Sequence, residues 1–485
     1  MKDPSLDYNL KDLKKMIVRS SEIIEEWYIN GLRDNKIYRN HTPGEIRDIF
    51  DEPLPEKGTD PMKILETIRE DVFRTSNFNP SPNYYGYITG GGNHASILAE
   101  LLKSSLNQNN LKWHSAPANS EMEKIVIRWI CDFIAYPPDS AGVLVSGGSV
   151  ANFLNLAVMR KIMSRENISE EGLYNSTPMT VYVSDQGHSS IDKAIDMLGI
   201  GKKYLRKIES DKELRINIKT LEETIADDRR KGLHPSCIIG IAGTTNNGAV
   251  DPLKELGEIA KENGMWYIVD GAYGLPAAGT DLKKELFEGF SMADSLLINP
   301  HKWFYVPFEA SAVIVKNRQA LRDTFSLVPE YLKGGNDENQ RDDLMNYNLQ
   351  LTKDFKALKV WMTFKAYGTE RLKAAIENDC RLASYAAEII NKSEDFELLA
   401  PVPLSIVCFR YTGRGGEFRD KEQILEKINS RLPGEIEKDG RIFFAATKIR
   451  GKTALRINLT NHRRKKEDID FLFKVIRDLA TGIPV

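Results

Sequence analysis

A lysine closes the stretch LLINPHK, Leu296 to Lys302, with a histidine before it and a tryptophan after it. Such a lysine is either a solvated side chain just past a strand end or an amine held half-dry, where its pKa falls and it becomes a nucleophile. Other groups with chemistry stand at comparable places, each just past a short apolar run. Asp270 ends MWYIV, and a carboxylate there needs a cation. That cation is an arginine from elsewhere in the chain or a protonated nitrogen on a ligand. His188 follows TVYVSDQG and could stack on a flat ligand, act as a base or only bond to backbone. No second His or Cys stands at metal-ligand spacing, so no metal site is expected. Ser146-Gly147-Gly148-Ser149 follows GVLV and opens a helical pattern. It reads as a phosphate cradle at a helix N-terminus or as a turn capped by Ser149. It is neither a Walker loop nor a dinucleotide fingerprint. Thr244 and Thr245 end a further run, and Asn299 and His301 flank the lysine.

Positioning these groups falls to the elements between them. From about Tyr85 to Gly368, short continuously apolar runs alternate with helical periodicity, which predicts a parallel or mixed sheet covered on both faces. Ligands of such sheets collect at the carboxyl ends of the strands. TGGGN, Thr89 to Asn93, reads as a turn. Before this region, Leu10 to about Leu32 has the spacing of an amphipathic helix. A loop follows from His41 to Pro61, then another helix from Met62. This N-terminal part is too thin to bury a core of its own and is expected to lie on a partner subunit. After Gly368 a helix, the strands SIVCFRYT, GRIFFAATKI and TALRINLT and a closing helix predict a small α+β unit. The expected domains are 1–90, 91–368 and 369–485.

Composition narrows the classes. The chain has 485 residues, 41% hydrophobic and 28% charged, with net charge −2, so it has ample core and no basic field for nucleic acid or anionic membrane. The run Arg463 to Lys466 reads as a solvated helix start. No apolar stretch reaches the roughly 18 residues of a membrane span, and the N-terminus lacks a signal-peptide core. Four cysteines, with no Cys-x-x-Cys, read as reduced and buried, which places the chain in the cytoplasm.

Taken together, the strand-end groups describe one pocket: a phosphate cradle, a stacking ring, a carboxylate for a ring nitrogen and a lysine for an aldehyde. Those are the needs of pyridoxal 5'-phosphate. The chain resembles the group II pyridoxal-phosphate-dependent amino-acid decarboxylases, in particular the aromatic L-amino-acid and microbial tryptophan decarboxylase branch. The resemblance rests on ADSLLINPHKW, SDQGHSS, AGTTNNGAVDP, VDGAYG and VPEYLK and extends from TPGEI and LPEKG to ALRINLTN. It implies a fold type I, aspartate aminotransferase-like large domain with a mostly parallel sheet. It also implies that Lys302 carries the cofactor, Asp270 pairs with its ring nitrogen and His188 stacks on the ring. Gly148, Ser149 and Asn299 would hold the phosphate, with Thr245, Ala272 and His301 lining the cofactor. Tyr331 would return the proton that yields amine, where oxidative aldehyde synthases have phenylalanine. The family's active sites lie at a homodimer interface.

The same resemblance places Tyr87, Ile88, Leu111, Phe308 and Thr352 around the substrate side chain. That set is apolar and partly aromatic, and no extra arginine for a glutamate side chain is evident. The expected reaction is therefore decarboxylation of tryptophan, tyrosine, phenylalanine or DOPA. The alternatives are a decarboxylase of a non-aromatic amino acid such as glutamate, or an aldehyde synthase or aminotransferase on the same fold.

Overall fold

Seven short apolar segments pair into one sheet in the computed structural model, which describes residues 5–34, 36–327 and 342–484. They are β1 (Ala141–Val145), β2 (Met179–Ser184), β3 (Leu205–Ile208), β4 (His234–Ile241), β5 (Trp266–Asp270), β6 (Ser295–Ile298) and β7 (Ser311–Val315). Their order is β1-β7-β6-β5-β4-β2-β3. Only β7 runs against its neighbours β1 and β6; the other pairs are parallel. Strands β2, β5, β6 and β7 are buried along their whole length, as expected when helices cover both faces. The register sets Ile241, Asp270 and Leu297 side by side, so the loops after β4, β5 and β6 open at the same edge.

A second sheet, order β10-β11-β9-β8, holds β8 (Phe396–Leu398), β9 (Ile406–Tyr411), β10 (Ala445–Ile449) and β11 (Lys452–Asn458). The segment Phe396–Leu398 is too short for periodicity to reveal. A single long helix, Ala357–Lys392, joins the two sheets and breaks at Gly368, whose φ of +69° suits a residue without Cβ. Leu10–Arg33 is helical, as its spacing predicts. The stretch expected to be a loop contains a helix, Pro43–Phe50, started by a reciprocal capping box between Thr42 and Glu45. Among the described residues no helix is long and apolar enough to cross a membrane.

Of the basic run near the end, Lys465 and Lys466 are exposed and start the helix Lys466–Ala480, as expected, but the two arginines are not solvated. Arg464 is buried, lies over the Tyr85 ring and donates to the carbonyls of Pro82, Tyr84 and Asn458. Arg463 donates to the carbonyls of Gly91 and Gly92. These arginines fasten the stretch from Pro82 to Gly92 to the chain between β11 and the last helix.

One ion pair is wholly enclosed: Lys353 with Glu123, side chains 2% and 0% exposed. Glu123 also accepts from the Leu144 N–H and from Asn110. Removing one member leaves a bare buried charge. Lys353→Met should therefore cost about 3–5 kcal/mol, seen as a lower denaturant midpoint; an unchanged midpoint would refute the pair's role.

Candidate active site

The turn that carries the lysine is held from behind. The short helix Pro300–Trp303 follows β6 directly. Trp303 stacks on Tyr273, centroids 4.9 Å apart, and donates to Asp379 at 2.9 Å. The Tyr305 hydroxyl reaches the same carboxylate oxygen at 2.8 Å. On the other side, a Cβ on Gly90 would lie 2.1 Å from the Lys302 carbonyl, so only glycine fits there. His301 is buried, and its Nδ1 accepts from the Ala310 N–H at 3.1 Å. With neighbours locked inward, Lys302 is left facing a cavity of about 330 Å³.

Electrostatics in that cavity favour a reactive amine. Desolvation pulls Lys302 down to about 8; Asp270 opposes this and the Arg456 guanidinium adds to it. Burial, with the Lys302 charge, pushes His301 down to about 3, so it is neutral beside the lysine. The unfolded chain binds more protons than the folded one between about 8 and the ordinary lysine value. This group therefore adds stability as pH rises through that window. In cofactor-free protein, acylation at Lys302 should rise through a midpoint near 8, read by peptide mass spectrometry across pH. A midpoint at the ordinary lysine value would contradict the assigned environment.

A chain of hydrogen bonds crosses the site. His188 caps the helix Ser189–Met197; its Nδ1 accepts from the Ser190 N–H at 3.1 Å and meets the Ser190 hydroxyl at 2.8 Å. Asn152 donates both to that hydroxyl and to Asp270 Oδ2, each at 3.0 Å. Asp270 Oδ1 accepts from the Ala272 N–H at 3.2 Å. Burial lowers His188 despite the favourable Asp270 charge, so its ring is neutral with the proton on Nε2. Among the described residues no lysine or arginine forms an ion pair with buried Asp270.

Three features fit a phosphorylated, nitrogen-containing aromatic cofactor. The helix Gly148–Met163 begins with no side-chain cap, leaving its N–H groups to a ligand. A Cβ on Gly148 would press on Asn299 Nδ2 at 3.0 Å, so glycine keeps the cradle open. Asn299 Nδ2 stands at that cradle as a donor, and the Asp270 carboxylate lines the same cavity with only neutral donors, Asn152 and the Ala272 N–H, bonded to it. Bound pyridoxal phosphate supplies an aldehyde for an amine and a ring that accepts electrons.

Ten of the residues to which the resemblance gives a role line this cavity: Gly148, Ser149, His188, Thr245, Asp270, Ala272, Asn299, His301, Lys302 and Phe308. Tyr87, Ile88, Leu111 and Thr352 do not. Tyr87 is 61% exposed and turns toward Phe443, while Ile88 packs in the core. Leu111 and Thr352 lie near each other elsewhere: the Leu111 carbonyl accepts from Met345, and the Lys353 carbonyl from Asn110. Tyr331 lies outside the described residues. The structure adds Asn152, Gln186 and Glu309 to the lining. Arg456 lines an adjoining pocket that shares His188 and Thr245 with this cavity; it donates to the carbonyls of Thr245 and Asn246 and keeps a buried nitrogen, Nη2, without a partner among the described residues.

A profile described as the pyridoxal-dependent decarboxylase conserved domain matches residues 43–412. The chain belongs to the pyridoxal-dependent decarboxylases. It is 30% identical over 484 residues to an aromatic-L-amino-acid decarboxylase of Bacillus atrophaeus, covering 99% of this chain and 98% of that one. To tryptophan decarboxylase 2 of Oryza sativa subsp. japonica it is 28% identical over 446 residues, covering 91% and 89%. The crystal structure of Oryza sativa TDC with PLP and tryptamine shares the fold at a TM-score of 0.92 and 23% identity, covering 99% of each chain. The decarboxylase thus uses pyridoxal phosphate and takes an amino acid as substrate.

Proposed function

We propose that this decarboxylase converts an aromatic L-amino acid to its amine and carbon dioxide, with Lys302 as the cofactor-bearing amine. The observation that carries this reading is the single cavity in which the Lys302 amine, the Asp270 carboxylate and the uncapped helix N-terminus at Gly148 converge. Asp270 keeps the ring nitrogen protonated. His188 covers the ring and offers its Nε2–H to the substrate carboxylate, and Arg456 offers its unpartnered Nη2 to the same group. Phe308 supplies an aromatic wall, and the relatives named for aromatic substrates support that side-chain class. The tyrosine at 331 supports amine over aldehyde as product. Purified enzyme should give kcat/KM for tryptophan or tyrosine at least about 100-fold above glutamate, because an acidic side chain finds an apolar wall. Glutamate as the preferred substrate would overturn the reading.

A homodimer with shared active sites belongs to this proposal. The helix Leu10–Arg33 leaves Leu10, Leu13, Ile17 and Val18 exposed, and the helix His94–Leu106 leaves Leu98 and Leu102 exposed. Such apolar faces call for cover. Leu111 and Thr352, outside their own cavity, would then face the partner's. All four cysteines are buried and free, in keeping with a cytoplasmic setting.

A further inference from the structure

Two carboxylates line the cavity, and the reaction uses only Asp270. The other is Glu309, next to Phe308 on the loop between the lysine turn and β7. This wall is fixed at both ends. On one side Phe308 lies against the His301 ring, centroids 5.0 Å apart, and the Ala310 N–H donates to His301. On the other, Lys356 at the start of the long helix holds Glu309 Oε1 at 3.2 Å. Lys356 is shared: it binds Asp354 more closely, at 2.8 Å, so it only partly offsets the Glu309 charge. Among the described residues Glu309 Oε2 has no hydrogen-bond partner, and the side chain is 52% exposed in the single chain.

A negatively charged acceptor beside a phenyl ring is a poor neighbour for a plain hydrocarbon or an acidic side chain. It suits a flat ring that carries a hydrogen-bond donor. We propose that Glu309 is a specificity-determining residue: it accepts a hydrogen bond from the indole N–H or phenol O–H of the substrate and disfavours side chains without a donor. This rests on the aromatic reading above and narrows it to donor-bearing aromatic amino acids. Lys356 acts as the positioning residue that aims the carboxylate.

The test is the ratio of kcat/KM for tryptophan to that for phenylalanine, measured in wild type, E309L and E309Q holoenzyme. Each ratio is internal to one protein, so a loss of folded enzyme affects both substrates alike. E309L should lower the ratio about 10-fold or more, the size expected for losing a hydrogen bond to a charged acceptor at a half-exposed site. E309Q keeps an acceptor oxygen without the charge and should fall between the two. A ratio within about two-fold of wild type in both variants would overturn the inference while leaving the aromatic reading intact, since one lost donor contact is worth more than that. Wild-type enzyme that consumes glutamate and neither aromatic acid would overturn both.

Discussion

Lys302→Ala should cut amine formation by at least about 10⁴-fold, because a positioned amine nucleophile is lost outright. Among the described residues no other lysine lines the cavity, so none of them can substitute. The fold should survive. Among the described residues the Lys302 amine makes no ion pair or hydrogen bond, and its main chain is held by Trp303, Tyr305 and the Gly90 contact. Burial outweighs the Asp270 attraction at Lys302, so removing the amine costs the folded state no net electrostatic stability. Thermal unfolding of the cofactor-free variant should therefore match or exceed that of wild type. Turnover near the wild-type rate would show that another group carries the cofactor. A large loss of stability would show that the lysine is structural.

Asp270→Asn is expected to lower kcat about 10²–10³-fold, the scale for removing one preorganised electrostatic partner. Asparagine has nearly the same shape but only one acceptor oxygen, so it keeps one of the two bonds that fix position 270, from Asn152 or from the Ala272 N–H, and sets an NH2 against the other donor. The negative charge that would face the ring nitrogen also disappears. A second readout follows from the same charge. Asp270 raises the pKa of both Lys302 and His188, so its neutralisation should let both fall further. The acylation midpoint of Lys302 in the cofactor-free variant should move below about 8. A midpoint that stays or rises would mean the two groups do not sense each other, and the assignment of Asp270 would fail.

Much of this site can be read in the chain because parallel strands buried on both faces leave continuous apolar runs, and the residue after each run faces the ligand edge. That logic brings Lys302, Asp270, His188 and Ser149 into view. It is blind to polar residues inside helices. Asn152 sits within SVANFLNLAV, where it passes for ordinary helix periodicity, yet it bridges Ser190 and Asp270. Arg456 looks like one residue of an alternating strand, and only the packing of β11 on the loop after β4 reveals its unpartnered nitrogen. The helix at Pro43–Phe50 was legible in principle from Thr42 and Glu45, but the surrounding prolines and acidic residues masked it. Leu111 and Thr352 do not line the cavity, and under the proposed homodimer they would face the partner's.

Reductive trapping tests the central claim most directly. The pyridoxal-phosphate-loaded protein is treated with borohydride, digested and searched by mass spectrometry for the peptide that carries the cofactor. One modified residue is expected, Lys302, within the stretch Asn299 to Trp303. Label on any other lysine, or no reducible linkage at all, would contradict it.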